Sequence, residues 1–269
     1  MSTEVQPRAA AAGRVQIAER TLRQDRWWLQ PLITFAVLGA FVVYSTFRAF
    51  WGRYYYDDHS HLLSPLYSPC LSDRCGTAPH FSWFPTWTYI ATPAIWVLIF
   101  PLGLRLSCYY YRKAYYRSFW FSPPACAVSE PHKGYSGETR FPLVMQNVHR
   151  WFFWFGLLFV GILTFDAVES FRQGASGQWG HMGLGSVILI VDALLLGLYT
   201  ISCHSCRHIF GGRLRNFSKH PVRYRLWSWV TVLNAKHMQF AWVSLVFVAL
   251  TDLYVWLVTA NVFSDPRFF

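Results

Sequence analysis

Five long apolar stretches dominate the pattern of hydrophobic and polar residues along the chain. Each is close to the ~20 mostly apolar residues that an α-helix needs to cross the hydrocarbon core of a bilayer. The pattern therefore predicts an all-α, polytopic membrane protein with a five-helix transmembrane bundle over residues 29–260. The predicted spans are about 29–50, 86–107, 151–168, 182–202 and 238–258. Pro93 and Pro101 fall within the second span, where proline favours a kink.

The lysines and arginines between the spans predict the orientation of the bundle. Eighteen of the 24 lie in segments 1–28, 109–150 and 203–237, and only five lie in the alternate segments. Because positive charge marks cytoplasmic segments, we expect a cytoplasmic N-terminal tail over 1–28 and an outer C-terminal tail over 261–269. Between Ile17 and Trp28, apolar and basic residues alternate at roughly helical spacing, which is typical of an amphipathic helix on the membrane surface.

The composition agrees with a membrane protein. Hydrophobic residues make up 54% of the chain and charged residues only 14%, whereas a soluble domain carries roughly 25% charged residues. The net charge of +11 comes from the segments that flank the spans, so we expect contacts with lipid and none with nucleic acid.

The long outer loop contains Cys70 and Cys75, and an oxidising compartment favours a local disulfide between them, with a free pair as the alternative.

The other cysteines and six of the ten histidines lie at or near the predicted cytoplasmic face. Four predicted helices bring thiol or imidazole groups to about one depth, and His204 and His208 are i,i+4 neighbours. Thiolate and imidazole together bind zinc or an iron–sulfur cluster of mixed ligation. Two histidines on separate helices would instead hold haem b, and ordinary packing is the remaining alternative. The candidate metal ligands are Cys108, Cys126, His149, Cys203, His204, Cys206, His208 and His237.

Two further sets of residues are candidates for function. Asp166, Asp192 and Asp252 lie within predicted spans, where acids mark a proton route or structural pairing inside the bundle. A quinone headgroup prefers aromatic walls and hydrogen-bond donors. The residues near the cytoplasmic ends that match this description are Trp120, Arg150, Trp151 and Lys236.

Several short stretches resemble the cytochrome b-type membrane-anchor subunit of succinate dehydrogenase or fumarate reductase. They are similar in particular to the single large anchor of an actinobacterial class of that complex. The stretches are Cys108–Arg117, Ser122–Val128, Asn147–Arg150, Cys203–Gly212 and His237–Met238. They extend from the second span to the fifth, so the resemblance covers most of the chain.

This resemblance implies a role in the bacterial plasma membrane. A soluble flavoprotein subunit would oxidise succinate, and a soluble iron–sulfur subunit would pass the electrons to this anchor, which would reduce quinone. Many anchors of the family hold haem b through histidines at two levels of the bundle, whereas here histidine and cysteine gather at one level. We therefore expect a Rieske-type [2Fe–2S] cluster bound by two cysteines and two histidines, with haem b or no redox centre as alternatives.

Two other classes of protein remain open from the sequence. One is a membrane cytochrome b unrelated to succinate. The other is an ion or metal transporter in which Asp192 is the coupling residue. A repeated pair of glycine- or proline-broken spans would favour a transporter, and the sequence contains none.

Overall fold

The structure is a computed structural model that describes residues 25–71, 92–128, 130–131, 141–174 and 177–269. Most of the predicted N-terminal tail therefore lies outside the described residues, as do Cys75 and the start of the second predicted span. The described part of the chain is almost entirely helical. Its helices are α1 (Leu29–Trp51), α2 (Pro93–Ser107), α3 (Tyr109–Ser118), α4 (Phe141–Glu169), α5 (Leu184–Ile201), α6 (His204–Gly211), α7 (Pro221–Asn234) and α8 (His237–Thr259).

Four of these helices are each long and apolar enough to cross a membrane: α1, α4, α5 and α8. The pair α2 and α3 provides a fifth crossing if it is counted as one bent span. The prediction of a five-helix membrane bundle is thus confirmed, and the predicted bounds of the first, fourth and fifth spans agree with α1, α5 and α8 within two residues. The 78° bend in the second span lies at Cys108, between α2 and α3, rather than at a proline.

Two segments that we expected to be loops are largely helical. Residues 109–150 contain α3 and the first part of α4, which begins at Phe141 rather than near Trp151. Residues 203–237 contain α6 and α7, and Pro221 occupies the first turn of α7, where its missing N–H costs no hydrogen bond. The prediction failed here because these helices are amphipathic or polar and too short to resemble spans.

The core of the bundle lies where α4 and α5 pack together and where α2 and α8 pack against them. Gly156 on α4 permits this approach, because a side chain there would overlap Leu104 and crowd Thr200. At the end opposite Cys108 and Cys203, two short hairpins and a turn of 3₁₀-helix close the bundle. They are β1–β2 (Tyr56–Asp57 with Leu62–Leu63), β3–β4 (Arg172–Gln173 with Gln178–Trp179) and Pro65–Tyr67.

The C-terminal tail packs back onto the start of α5. Met182 N donates to the Phe269 carbonyl at 3.0 Å, and Leu184 N donates to the Pro266 carbonyl at 2.8 Å. Asp265 accepts hydrogen bonds from Gly185 N at 2.8 Å and from the Tyr254 hydroxyl at 2.5 Å. The tail is therefore part of the folded domain.

Candidate functional site: a buried cysteine–histidine cluster

Three helix ends and one position within α4 meet at one level of the bundle. Cys108 follows the last residue of α2, His149 lies on α4, Cys203 follows α5 and precedes α6, and His237 begins α8. All four side chains are buried, with exposed fractions of 1%, 9%, 2% and 4% respectively. We refer to these four residues as the cysteine–histidine cluster.

His149 is held between a serine and a cysteine. Its Nδ1 lies 2.9 Å from Ser107 Oγ, and its Nε2 lies 3.0 Å from Cys203 Sγ. The serine is on α2, the histidine on α4 and the cysteine after α5, so this contact joins three membrane helices. The serine fixes the orientation of the ring and directs Nε2 toward the sulfur.

His237 has the same kind of surroundings. Its Nδ1 lies 2.8 Å from Ser202 Oγ, and its Nε2 lies 3.6 Å from Cys108 Sγ. The ring also stacks on Tyr199, with 5.1 Å between the ring centroids and an interplanar angle of 9°. In each half of the cluster, one imidazole nitrogen thus meets a serine hydroxyl and the other meets a thiol.

The two halves are related through two Ser–Cys dipeptides, Ser107-Cys108 and Ser202-Cys203. Within each dipeptide, the serine contacts one histidine and the cysteine contacts the other. Histidines that bind metals are usually oriented by a hydrogen bond to the second ring nitrogen. Ser107 and Ser202 supply this bond to the two histidines of the cluster.

The donor set decides which metal groups fit. Among the described residues, no three histidine, cysteine or acidic side chains converge as a single metal ion requires. The donors instead form two Cys–His pairs, and a tetrahedral zinc site needs four donors around one point. Two thiols and two imidazoles match the donor types of a two-iron cluster of mixed ligation. The direct Cys–His contacts have to open to admit such a group.

Burial raises the pKa of Cys203 to about 11. The thiol is therefore protonated at neutral pH in the absence of metal, and metal binding has to displace the proton. An N–H···S contact from the backbone of Ser205, 3.4 Å from Cys203 Sγ, favours the thiolate that would result.

The other four predicted metal ligands have different surroundings. His204 and His208 on α6 are exposed, as is Cys126. Cys206 is buried among apolar side chains and is a free thiol. Their membership of the pool of ligands stays a prediction. Cys70 is disulfide-bonded, as expected, and Cys75 lies outside the described residues.

The three acids within the spans have different surroundings. Asp252 is fully buried and accepts two hydrogen bonds from Arg48, at 2.7 and 3.0 Å, which gives it a structural role. Asp166 accepts a hydrogen bond from Ser68. Both carboxylate oxygens of Asp192 are buried and form no hydrogen bond within the described part of the chain. No hydrogen bond between described residues links the three into a route, so a proton route remains a prediction.

The predicted quinone residues do not share one cavity. Arg150 and Trp151 line a surface cavity of about 340 Å³ together with Asn147 and Trp154. Trp120 packs instead on Tyr115, Tyr116 and Phe119, and Lys236 is an exposed residue at the start of α8.

A second cavity, of about 250 Å³, extends between the helices from Arg105 and Tyr199 to the 3₁₀ turn Pro65–Tyr67. Its walls are mostly apolar and come from α1, α2, α4, α5 and α8. Arg105 and Tyr199 supply its main polar groups. Tyr199 therefore borders both this cavity and the cluster, through its stacking on His237.

Comparison with known proteins decides the family. The model of the family described as "Actinobacterial succinate dehydrogenase subunit SdhC" matches residues 29–261 of this chain. The chain belongs to the actinobacterial SdhC family. It is therefore the membrane anchor of a succinate dehydrogenase, a multi-pass protein of the plasma membrane, and the transporter alternative is set aside.

A solved relative agrees with this assignment. The chain is 52% identical to a chain of the Mycobacterium smegmatis Sdh1 complex in the apo form, with a TM-score of 0.83. The match covers 93% of this anchor and 94% of that chain. None of the curated proteins is similar enough to count as a match.

Sequence reasoning missed four residues at the site of this SdhC-family anchor: Ser107, Ser202, Arg105 and Tyr199. Two signals were present in the sequence. The Ser–Cys dipeptide occurs at the ends of both the second and the fourth span, and Arg105 is one of only two lysines or arginines within the predicted spans, the other being Arg48. Tyr199 carries no such signal, because a tyrosine near a span end is typical of any membrane interface.

Proposed function

We propose that this anchor receives electrons at the cysteine–histidine cluster and delivers them to quinone in the adjacent interior cavity. The observation that carries the proposal is the burial of two thiols and two serine-oriented imidazoles at one level. Such a donor set, withdrawn from water, has no evident role in packing alone.

Cys108, Cys203, His149 and His237 would hold a Rieske-type [2Fe–2S] cluster. When bound, such a cluster supplies a one-electron carrier whose potential is raised by histidine ligation. Ser107 and Ser202 hold the two rings so that Nε2 of each is presented to the centre. The surrounding apolar residues, among them Phe153 and Leu245, keep water away from it.

Arg105 and Tyr199 would receive the quinone headgroup in the interior cavity. Arg105 is buried and is held by Tyr111, by Ser244 Oγ at 3.2 Å and by the Ala241 carbonyl at 3.3 Å. Its positive charge would stabilise the negative charge that develops on quinone oxygens during reduction. The apolar walls fit the ring and the start of an isoprenoid tail.

The surface cavity at Arg150 and Trp151 is the second candidate for the quinone headgroup. Its open position beside the exposed side chain of Trp154 makes it the weaker of the two. Trp120 and Lys236 lie outside both cavities, so we do not include them in either proposed site.

We also propose that the end of the bundle that holds the cluster faces the cytoplasm. The basic residues of α3, α6 and α7 lie at this end, and positive charge favours the cytoplasmic side. The soluble flavoprotein and iron–sulfur subunits of the complex would dock there, which would place the last soluble iron–sulfur centre close to the cysteine–histidine cluster.

Matched pairs of histidine substitutions test the cluster. In the purified complex, His149→Ala with His237→Ala should abolish succinate–quinone activity and retain succinate oxidation by a soluble dye. The same variant should lose a Rieske-type signal in low-temperature electron paramagnetic resonance (EPR) spectra of the dithionite-reduced complex. His204→Ala with His208→Ala is the control, because these exposed histidines belong to the same layer, and it should retain both activity and signal.

The outcome also separates the alternatives. A haem b centre would give sharp visible absorption bands and no such EPR signal. If the double variant at 149 and 237 retains full quinone activity, electrons do not pass through the cysteine–histidine cluster.

A further inference from the structure

Tyr199 has a buried hydroxyl without a hydrogen-bond acceptor. Its side chain is only 2% exposed, and within the described part of the chain its oxygen forms no hydrogen bond. A buried hydroxyl is normally paired, because losing its hydrogen bonds to water without replacement costs free energy. The hydroxyl is therefore placed to pair with something that the protein chain alone does not provide.

The cysteine–histidine cluster is the polar group next to this hydroxyl. The ring of Tyr199 stacks on His237, and its side chain packs in the same buried cluster as Cys108 and Cys203. Cys108 is the thiol in contact with that stacked ring, because its Sγ lies 3.6 Å from His237 Nε2. Cys203 instead contacts the other histidine, with its Sγ 3.0 Å from His149 Nε2.

Arg105 strengthens this donor. The guanidinium carbon lies 4.9 Å from the centroid of the Tyr199 ring. A cation over a phenol ring withdraws electron density from it, so the O–H group becomes a better hydrogen-bond donor. Arg105 is buried and fixed by hydrogen bonds to α3 and α8, which keeps the charge in place.

We propose that Tyr199 donates a hydrogen bond to the sulfur of Cys108 in the loaded centre and thereby raises its reduction potential. This inference rests on the proposed function. One electron added to the centre increases the negative charge on the sulfur ligands, so a donor to sulfur stabilises the reduced form more than the oxidised form. Tyr199 would therefore adjust the reduction potential of the centre. Its ring also lies between His237 and the interior cavity.

Tyr199→Phe in the assembled complex tests this inference, because it removes the hydroxyl and retains the ring. A potentiometric titration followed by EPR should show the cluster signal retained and its midpoint lowered. We expect a shift of about tenfold in the one-electron equilibrium, or ~59 mV. Tyr254→Phe is the matched control, because its hydroxyl bonds Asp265 at the opposite end of the bundle, and its midpoint should equal that of the wild type.

A measurement on the unmodified protein covers the case in which Tyr199→Phe does not assemble. Electron–nuclear double resonance of the reduced complex should detect a proton strongly coupled to the cluster that exchanges in D₂O. An unchanged midpoint in Tyr199→Phe, or the absence of such a proton, overturns the inference and leaves the proposed function intact. If the wild-type complex contains no cluster signal from the anchor, the proposed function itself fails.

Discussion

At the residue scale, burial and a fixed ring orientation distinguish His149 and His237 from the other histidines at the same end of the bundle. Each has one nitrogen against a serine and the other against a thiol. His204 and His208 have the favourable i,i+4 spacing, yet both are exposed on α6. Spacing within a helix brings two side chains to one face, but the packing of that helix decides whether the face is turned toward the interior.

The orienting serines are open to test at this scale. Ser107→Ala with Ser202→Ala leaves the four donors in place and removes the hydrogen bonds that orient both rings. Loss of such supporting bonds typically costs 10–100-fold in metal affinity or activity. We expect iron retention in the anchor, measured during dialysis against a chelator, to fall by a factor in this range.

Ser228→Ala is the control for the serine substitutions. Its hydroxyl bonds a carbonyl of its own helix, that of Tyr224, at 2.9 Å. Iron retention equal to the wild type in the double serine variant would contradict a supporting role for Ser107 and Ser202.

At the scale of elements, α1 packs less closely than the other long helices. Its buried side chains in the membrane are Leu38, Arg48 and Ala49. Arg48 makes a fully buried ion pair with Asp252 of α8, and the Tyr44 hydroxyl donates to the same carboxylate at 2.5 Å. A polar link therefore attaches α1 to the bundle, and α1 also forms one wall of the interior cavity.

Arg48→Met should destabilise the anchor strongly, because it leaves the Asp252 carboxylate buried with only hydroxyl partners. Removing one partner of a buried pair costs about 3–5 kcal/mol. We expect a clear decrease in the thermal unfolding midpoint of the detergent-solubilised complex.

Arg172→Met provides the comparison for Arg48→Met. The ion pair of Arg172 with Glu169, at 3.1 Å, is partly exposed, and such pairs contribute about 0–1 kcal/mol. A similar decrease in the unfolding midpoint for the two variants would contradict the link between α1 and α8.

At the scale of the whole molecule, the two ends of the bundle differ in structure and in charge. One end carries the cysteine–histidine cluster and the basic helices α6 and α7. The other end is closed by β-hairpins and by the C-terminal tail. This asymmetry agrees with an anchor that has soluble subunits on one side only.

Proteolysis of membrane vesicles tests this asymmetry. Trypsin should cut between residues 203 and 237 in inverted vesicles from which the soluble subunits have been removed. All seven arginines and lysines of this segment have exposed or half-buried side chains. The same segment should resist trypsin in inverted vesicles that retain the complex.

Right-side-out vesicles are the control for orientation, and residues 203–237 should stay intact in them. Cleavage there would reverse the proposed orientation. Equal cleavage of inverted vesicles with and without the soluble subunits would contradict docking at α6 and α7.

The sequence by itself determined the membrane-spanning architecture, because about 20 apolar residues in a row have few alternatives to a span. It also identified the level at which cysteine and histidine gather, and the resemblance that led to the correct family. Short amphipathic helices such as α3, α6 and α7 were missed, since their pattern differs little from that of a polar loop.

Only the tertiary structure decided which of the eight candidate residues belong together. Cys108, His149, Cys203 and His237 come from four separate parts of the chain, and their convergence depends on the packing of α2, α4, α5 and α8. The spacing of residues along one chain carries no information on the contact between two helices that are far apart in sequence. For the same reason, the sequence could not show that the Tyr199 hydroxyl is buried without a hydrogen bond to a described residue, or that a cavity lies beside it.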